Sequence, residues 1–152
     1  MLPRYDHSLS RSVVDIVDLN NFEIIHTYKL DINEMNNKIK CAIIGYGYMG
    51  EIRHQIVEQH KDLKLSIICE TNPKILSGEY HFKVVRDIKE IVESSVQAVF
   101  ICTPNHLIPE LTVQCLERGK HVFCEKPPGR TLNDIERMQD AEKANGLKIR
   151  PN

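Results

Sequence analysis

Three groups of residues in this 152-residue chain combine types and spacings that could do chemistry. The first is Gly45-Tyr46-Gly47-Tyr48-Met49-Gly50, a Gly-x-Gly-x-x-Gly run directly after the apolar stretch Cys41-Ala42-Ile43-Ile44. In such a run the first glycine permits a tight turn and the second lets a pyrophosphate approach the backbone. The third lets a helix and a strand pack closely. The free N–H groups and positive dipole end of the following helix would face the phosphates. Taken alone, the motif also fits an ordinary glycine-rich turn. The second group is Glu70, 20 residues after Gly50 and at the end of the apolar run Leu65-Ser66-Ile67-Ile68-Cys69. A carboxylate there can accept hydrogen bonds from ribose hydroxyls. The third comprises Thr103-Pro104-Asn105-His106 and Glu125-Lys126-Pro127-Pro128-Gly129-Arg130, each following an apolar run. Lys126 is either a surface lysine or a polar, proton-relaying group. His106 either begins a helix or lines a crevice.

The elements that must position these groups alternate. The sequence predicts a strand at 39–44, a helix at 48–60 with Ile52, Ile56 and Val57 as its apolar stripe, and a strand at 64–69. Asn72-Pro73 opens a loop, and a short edge-like strand is expected at Lys83-Val84-Val85. A helix over 87–94 follows, then the apolar run Val96–Cys102, which suits a central strand buried on both faces. A helix over 106–118 ends at Gly119, and His121-Val122-Phe123-Cys124 reads as another strand. Thr131 and Asp134 form a capping box for a helix over 132–145 that stops at Gly146, and residues 147–150 begin a sixth strand. Repeated right-handed crossovers of this kind give an α/β fold with a doubly wound parallel sheet. In such open sheets a ligand lies across the carboxyl ends of the strands, so all the candidate groups would meet on one rim.

Residues 1–37 read as a separate extension. Val13–Leu19 and Phe22–Tyr28 are rich in strand formers, and Asn20-Asn21 between them suits a hairpin turn. This N-terminal β-hairpin is similar, over a short stretch, to a hairpin of aryl-sulfotransferase-like propeller proteins. The main domain is expected over 38–152. A net charge of −1 and a pI near 6.6 give no basic footprint for nucleic acid or an anionic membrane surface. No apolar run approaches the roughly 18 residues of a membrane span. The five cysteines contain no Cys-x-x-Cys pair and mostly sit in strand-like runs, so they read as buried free thiols of a cytoplasmic protein. No metal site is expected, and His54, His60 and His81 are expected at the surface.

Three of these segments carry a family likeness: Gly45 to Gly50, Thr103-Pro104-Asn105-His106-Leu107, and Gly119-Lys120-His121-Val122-Phe123-Cys124-Glu125-Lys126-Pro127. Together they resemble the N-terminal half of the glucose–fructose oxidoreductase, inositol dehydrogenase and rhizopine-catabolism family (Gfo/Idh/MocA), over roughly 38–150. The resemblance implies a Rossmann-type domain that binds NAD or NADP. It implies an oxidoreductase acting on hydroxyl or carbonyl carbons of sugars, cyclitols and related molecules. Gly45, Gly47 and Gly50 would form the phosphate turn, and Tyr48 and Met49 would offer backbone donors to the pyrophosphate. Glu70 would hold the ribose, and Thr103, Pro104, Asn105 and His106 would lie along the cofactor. Glu125 and Lys126 would border the nicotinamide, with Lys126 as the catalytic candidate and the Lys126–Pro127 peptide cis. Glu70 would repel a 2′-phosphate, which favours NAD, while Lys74 softens that preference.

Two departures from the family stand out. Pro128-Gly129-Arg130 replaces an aliphatic residue and alanine, and the family's substrate domain does not follow within the 152 residues. The expectation is therefore negligible turnover by this chain alone, a sugar-like substrate only with a further domain, and self-association left open. The alternative is a non-catalytic dinucleotide-binding or interaction module.

Overall fold

The computed structural model describes the backbone of residues 12–18, 23–30, 38–146 and 149–151, with side chains over 38–146 and at 149. The chain forms two compact units, Met1–Asn37 and Lys38–Asn152.

In the first unit, strand β1 (Ser12–Asp18) pairs antiparallel with β2 (Glu23–Leu30), from Ser12 opposite Leu30 to Asp18 opposite Glu23. A bulge falls between Ile16 and Val17. Val and Ile supply four of the seven residues of β1, and Ile, Thr and Tyr four of the eight of β2, residue types that favour the pleat. The Asn20-Asn21 turn and His7 lie outside the described residues.

The second unit is built on a six-stranded parallel sheet. Its strands are β3 (Ile39–Ile44), β4 (Leu63–Cys69), β5 (Lys83–Val85), β6 (Ala98–Ile101), β7 (His121–Cys124) and β8 (Ile149–Pro151), in the order β5-β4-β3-β6-β7-β8. The crossovers run outward in both directions from β3, so the sheet reverses its winding between β3 and β6. That reversal leaves a crevice at the carboxyl ends of these two strands.

Helix α1 (Tyr48–Gln59) packs on β3, β4 and β6. Alternation along a strand turns Cys41 and Ile43 to the face opposite Ala42 and Ile44. All four are buried, as are Leu65, Ile68 and Val57. The larger core gathers Ala42, Ile44, Val99, Ile101 and Val122 with residues of the remaining helices. From α3 (Lys89–Val92) comes Ile91, from α4 (Ile108–Glu117) come Ile108, Cys115 and Leu116, and from α5 (Leu132–Asn145) comes Met138. Burial on both faces explains why the sequence of β3 is apolar almost throughout.

The element ends follow local chemistry. Thr131 and Asp134 form the reciprocal capping box at the start of α5, and Gly146 closes it at φ 62°. Gly119 takes φ 76° just after α4. Asn72 was expected to open a plain loop. Instead its side chain accepts from the Lys74 amide and starts the single turn α2 (Pro73–Leu76), an N-cap with proline in the first turn. The helix expected over 87–94 contracts to α3, because Glu93 and Ser94 turn away, and the run 96–102 contracts to β6, although the Gln97 and Cys102 amides still bond to the carbonyls of Lys40 and Ile44. Lys120 is buried between α3 and β6, and its Nζ donates to the carbonyls of Ser94 and Val96 at 2.7 and 2.9 Å.

The five thiols are free. Burial pushes Cys69 up to about 11 and Cys41, Cys102, Cys115 and Cys124 to about 12. Thiols so raised are poor nucleophiles and poor metal ligands.

Candidate functional site

Hydrogen bonds that extend the ladder past the strand ends align the candidate groups. Ile44 lies opposite Cys69 on one side and Ile101 on the other, and Ile101 lies opposite Cys124. One residue further, the Gly45 amide donates to Cys69 O at 2.9 Å and the Cys102 amide to Ile44 O at 2.8 Å. The Glu125 amide donates to Ile101 O at 3.0 Å. Gly45, Glu70, Cys102 and Glu125 therefore start four neighbouring loops on one rim of one sheet.

The three glycines answer to three different constraints. Gly45 holds φ 88°, and a Cβ there would lie 2.9 Å from Cys102 O. A Cβ on Gly50 would lie 2.3 Å from Gly45 O, so α1 touches the turn that precedes it. A Cβ on Gly47 would meet nothing within 4 Å. The open space lies at the helix N-cap, where the first-turn amides have no intrahelical acceptor. This is the pattern that close approach of an anion to the backbone requires. Tyr48, at the first position of α1, is 79 % exposed.

Glu70 is tied to the same turn. Its Oε2 accepts from the Tyr46 amide at 2.6 Å. Its Oε1 accepts from the amides of Thr71 and Asn72 at 2.6 and 3.0 Å and from the Thr71 hydroxyl at 3.3 Å. Burial works to raise this carboxyl, but the three backbone donors and the hydroxyl outweigh it and hold it below its ordinary value.

Across the crevice Thr103 and Asn105 are half-buried, and Pro104 and His106 are exposed. The Thr103 Oγ1 is buried without a hydrogen-bond partner among the described residues. A polar atom in that condition at the switch point is suited to a ligand hydroxyl or amide.

At the end of β7, Glu125 is buried and Lys126 is exposed, joined to Pro127 by a cis peptide bond as expected. Sequence reasoning missed what anchors this loop. Arg53 of α1 is 3 % exposed, and its Nε donates to Glu125 Oε1 at 2.7 Å. Its guanidinium carbon also sits 4.8 Å from the centroid of the Phe123 ring. The expected stripe of Ile52, Ile56 and Val57 is corrected accordingly. Val57 is buried, but its companions on the inner face are Gly50 and Arg53, while Ile52 and Ile56 are half-buried. The available signal was spacing, since Gly50, Arg53 and Val57 stand at i, i+3 and i+7.

The histidines also differ from expectation. His54 is half-buried rather than exposed. Its ring packs edge-on against Phe82 with centroids 5.0 Å apart, and its Nδ1 lies 2.5 Å from the Tyr46 hydroxyl. His81 is exposed as expected, but its ring stands 6.1 Å from that of His54.

A doubly wound sheet, a glycine turn opening onto a helix N-terminus, an acid at the next strand end and an unpartnered polar group across the switch point define a dinucleotide-binding domain. Comparison with known proteins agrees. Residues 39–152 match the model of the GFO_IDH_MocA family, described as "Oxidoreductase family, NAD-binding Rossmann fold". The chain belongs to that family. It is 30 % identical over 110 residues to a myo-inositol 2-dehydrogenase of Thermotoga maritima, covering 69 % of this chain and 33 % of that protein. It is 35 % identical over 119 residues to a levoglucosan dehydrogenase of Pseudarthrobacter phenanthrenivorans, covering 69 % and 30 %. Among solved structures, apo scyllo-inositol dehydrogenase from Lactobacillus casei superposes with a TM-score of 0.67 at 29 % identity, covering 76 % of this chain and 36 % of that one. The chain thus spans about a third of the length of the curated relatives it matches. Among the described residues no helix is long and apolar enough to cross a membrane.

Proposed function

We propose that residues 38–152 hold a nicotinamide dinucleotide, NAD in preference to NADP, for an oxidoreductase acting on a hydroxyl or carbonyl carbon of a sugar- or cyclitol-like molecule. The observation that carries this reading is the alignment of Gly45, Glu70, Cys102 and Glu125 on one rim by continued ladder bonds. The residues present fit the cofactor: Gly47 faces open space and Thr103 carries a buried hydroxyl without a partner among the described residues.

In this reading the backbone N–H groups of Tyr48 and Met49, with the dipole of α1, take the pyrophosphate over Gly47. Oε2 of Glu70 accepts only one of the four hydrogen bonds made to that carboxylate, so it has lone-pair capacity for a ribose hydroxyl. A 2′-phosphate beside it would be repelled. Lys74, exposed on α2, softens that repulsion. Thr103, Pro104, Asn105 and His106 line the path to the nicotinamide, which supplies the hydride acceptor or donor when bound. Lys126 borders that ring and positions or relays the hydroxyl proton. Glu125 anchors the Lys126 loop through its buried contact with Arg53. A cytoplasmic setting is supported by the five free thiols, four of them buried.

The test is titration of the purified chain with NADH and NADPH, followed by nicotinamide fluorescence. NADH is expected to bind more tightly, and Glu70→Ala to narrow the gap. Equal affinities in the parent chain would overturn the assignment of Glu70.

A further inference from the structure

Beside the glycine turn, where α1 meets the segment entering β5, lies a cluster to which the dinucleotide reading assigns no role. His54 and Glu58 stand one turn apart on the helix. The segment entering β5 brings His81 to them. The Nε2 of His81 lies 3.4 Å from Glu58 Oε1, and the Nε2 of His54 lies 3.9 Å from the same oxygen. The three donor atoms all lie within 4.8 Å of one another.

We propose that His54, Glu58 and His81 form a binding site for one divalent transition-metal ion of the zinc class. Two imidazole nitrogens and one carboxylate oxygen are a donor set that Zn2+ and Co2+ accept, with a fourth position open to solvent. Bonds of about 2.0–2.2 Å place tetrahedral donors about 3.3–3.6 Å apart. The His81–Glu58 separation already meets that, and the His54–Glu58 separation is within half an ångström of it. Glu58, whose side chain is 45 % exposed, closes the gap to His54, and His81, whose side chain is 67 % exposed, moves in from a donor spacing of up to 4.8 Å.

The surroundings fit a ligand set rather than a chance meeting of surface charges. An Nδ1–H on His54 donating to the Tyr46 hydroxyl leaves the Nε2 lone pair facing Glu58 and His81. A hydrogen-bond partner of this kind fixes the ring and tautomer of a metal-bound histidine. Phe82 is the floor, edge-on to both imidazoles with centroids 5.0 Å away, and Tyr80 stacks on it at 4.9 Å. The bound ion would clamp the segment Tyr80-His81-Phe82 to α1. It would also fix Tyr46, whose amide donates to Glu70. Sequence spacing gave no metal motif because the third ligand comes 23 residues after Glu58.

The test uses the full chain, stripped with a chelator and titrated with ZnCl2 and CoCl2, without dinucleotide. The expected results are one equivalent bound, intense visible Co2+ absorption of a low-coordinate site, and a rise in melting temperature with Zn2+. His54 is packed, so its removal risks the fold. His81→Ala is therefore the primary variant, expected to weaken binding at least about tenfold and to abolish the thermal rise. Tyr46→Phe is expected to weaken binding about tenfold through the lost support, and His60→Ala to leave it unchanged. Absence of stoichiometric binding, or equal binding by the parent and His81→Ala, overturns the proposal. Because no cofactor is added, either result is separate from the dinucleotide reading.

Discussion

Replacing Arg53 by methionine tests the interior support of the site. Methionine keeps the length and apolar stem of arginine while removing the guanidinium. The pair it breaks has side chains only 4 % and 10 % exposed, with Nε 2.7 Å from Glu125 Oε1. Removing one partner of a buried ion pair leaves a carboxylate in a medium that solvates it poorly, at a cost of about 3–5 kcal/mol. The contact over Phe123, at 4.8 Å, adds a further loss of about 0.5–1 kcal/mol. A domain of this size has about 5–15 kcal/mol in hand, so the variant loses about a quarter or more of it. That corresponds to a fall in melting temperature of about 12 °C or more. Urea denaturation of the parent and variant measures it. Two comparisons separate the mechanism from generic damage. Arg137 pairs with Glu110 at 2.9 Å but with side chains 48 % and 59 % exposed, so Arg137→Met should cost less than about 1 kcal/mol. The double variant Arg53→Met/Glu125→Leu should be more stable than Arg53→Met, because the apolar pair removes the buried charge. A cost for Arg53→Met below about 1 kcal/mol would refute this account. So would a double variant no more stable than the single one.

Three further outcomes follow from the same rim. Gly47→Ala should leave stability within about 0.5 kcal/mol, since its Cβ meets nothing and φ is −84°, yet it should weaken NADH binding at least tenfold by filling the approach to the phosphates. Gly50→Ala should unfold the chain at markedly lower urea, because its Cβ would sit 2.3 Å from Gly45 O; a stable Gly50→Ala chain would contradict the close helix–turn contact. The folded Glu70 carboxyl lies below its ordinary value of 4.5, so its stabilisation is complete above that pH and is lost as pH falls through the folded value. The stability difference between the parent and Glu70→Gln, measured by urea unfolding across pH 7 to 3, should be constant above about pH 5 and shrink below it. A difference that grows on acidification has the wrong sign for this mechanism.

Sequence alone determined the framework. Apolar runs of strand length, helical spacing, Gly119 and Gly146 as stops and the Thr131–Asp134 box each act within a few residues, so they were legible without coordinates. The rim followed as well, because right-handed crossovers send parallel strands to end on one side, and Gly45, Glu70, Thr103 and Glu125 each follow a strand. What only the tertiary structure decided are pairings between elements. Arg53 meets Glu125 across 72 positions, and His81 reaches His54 and Glu58 from a different element. No periodicity encodes such meetings. They depend on how α1 lies across the sheet, and that is set by the fit of Gly50 against Gly45 and of Val57 into the core. A charged residue on an inner helical stripe is therefore ambiguous until its partner's position in space is known.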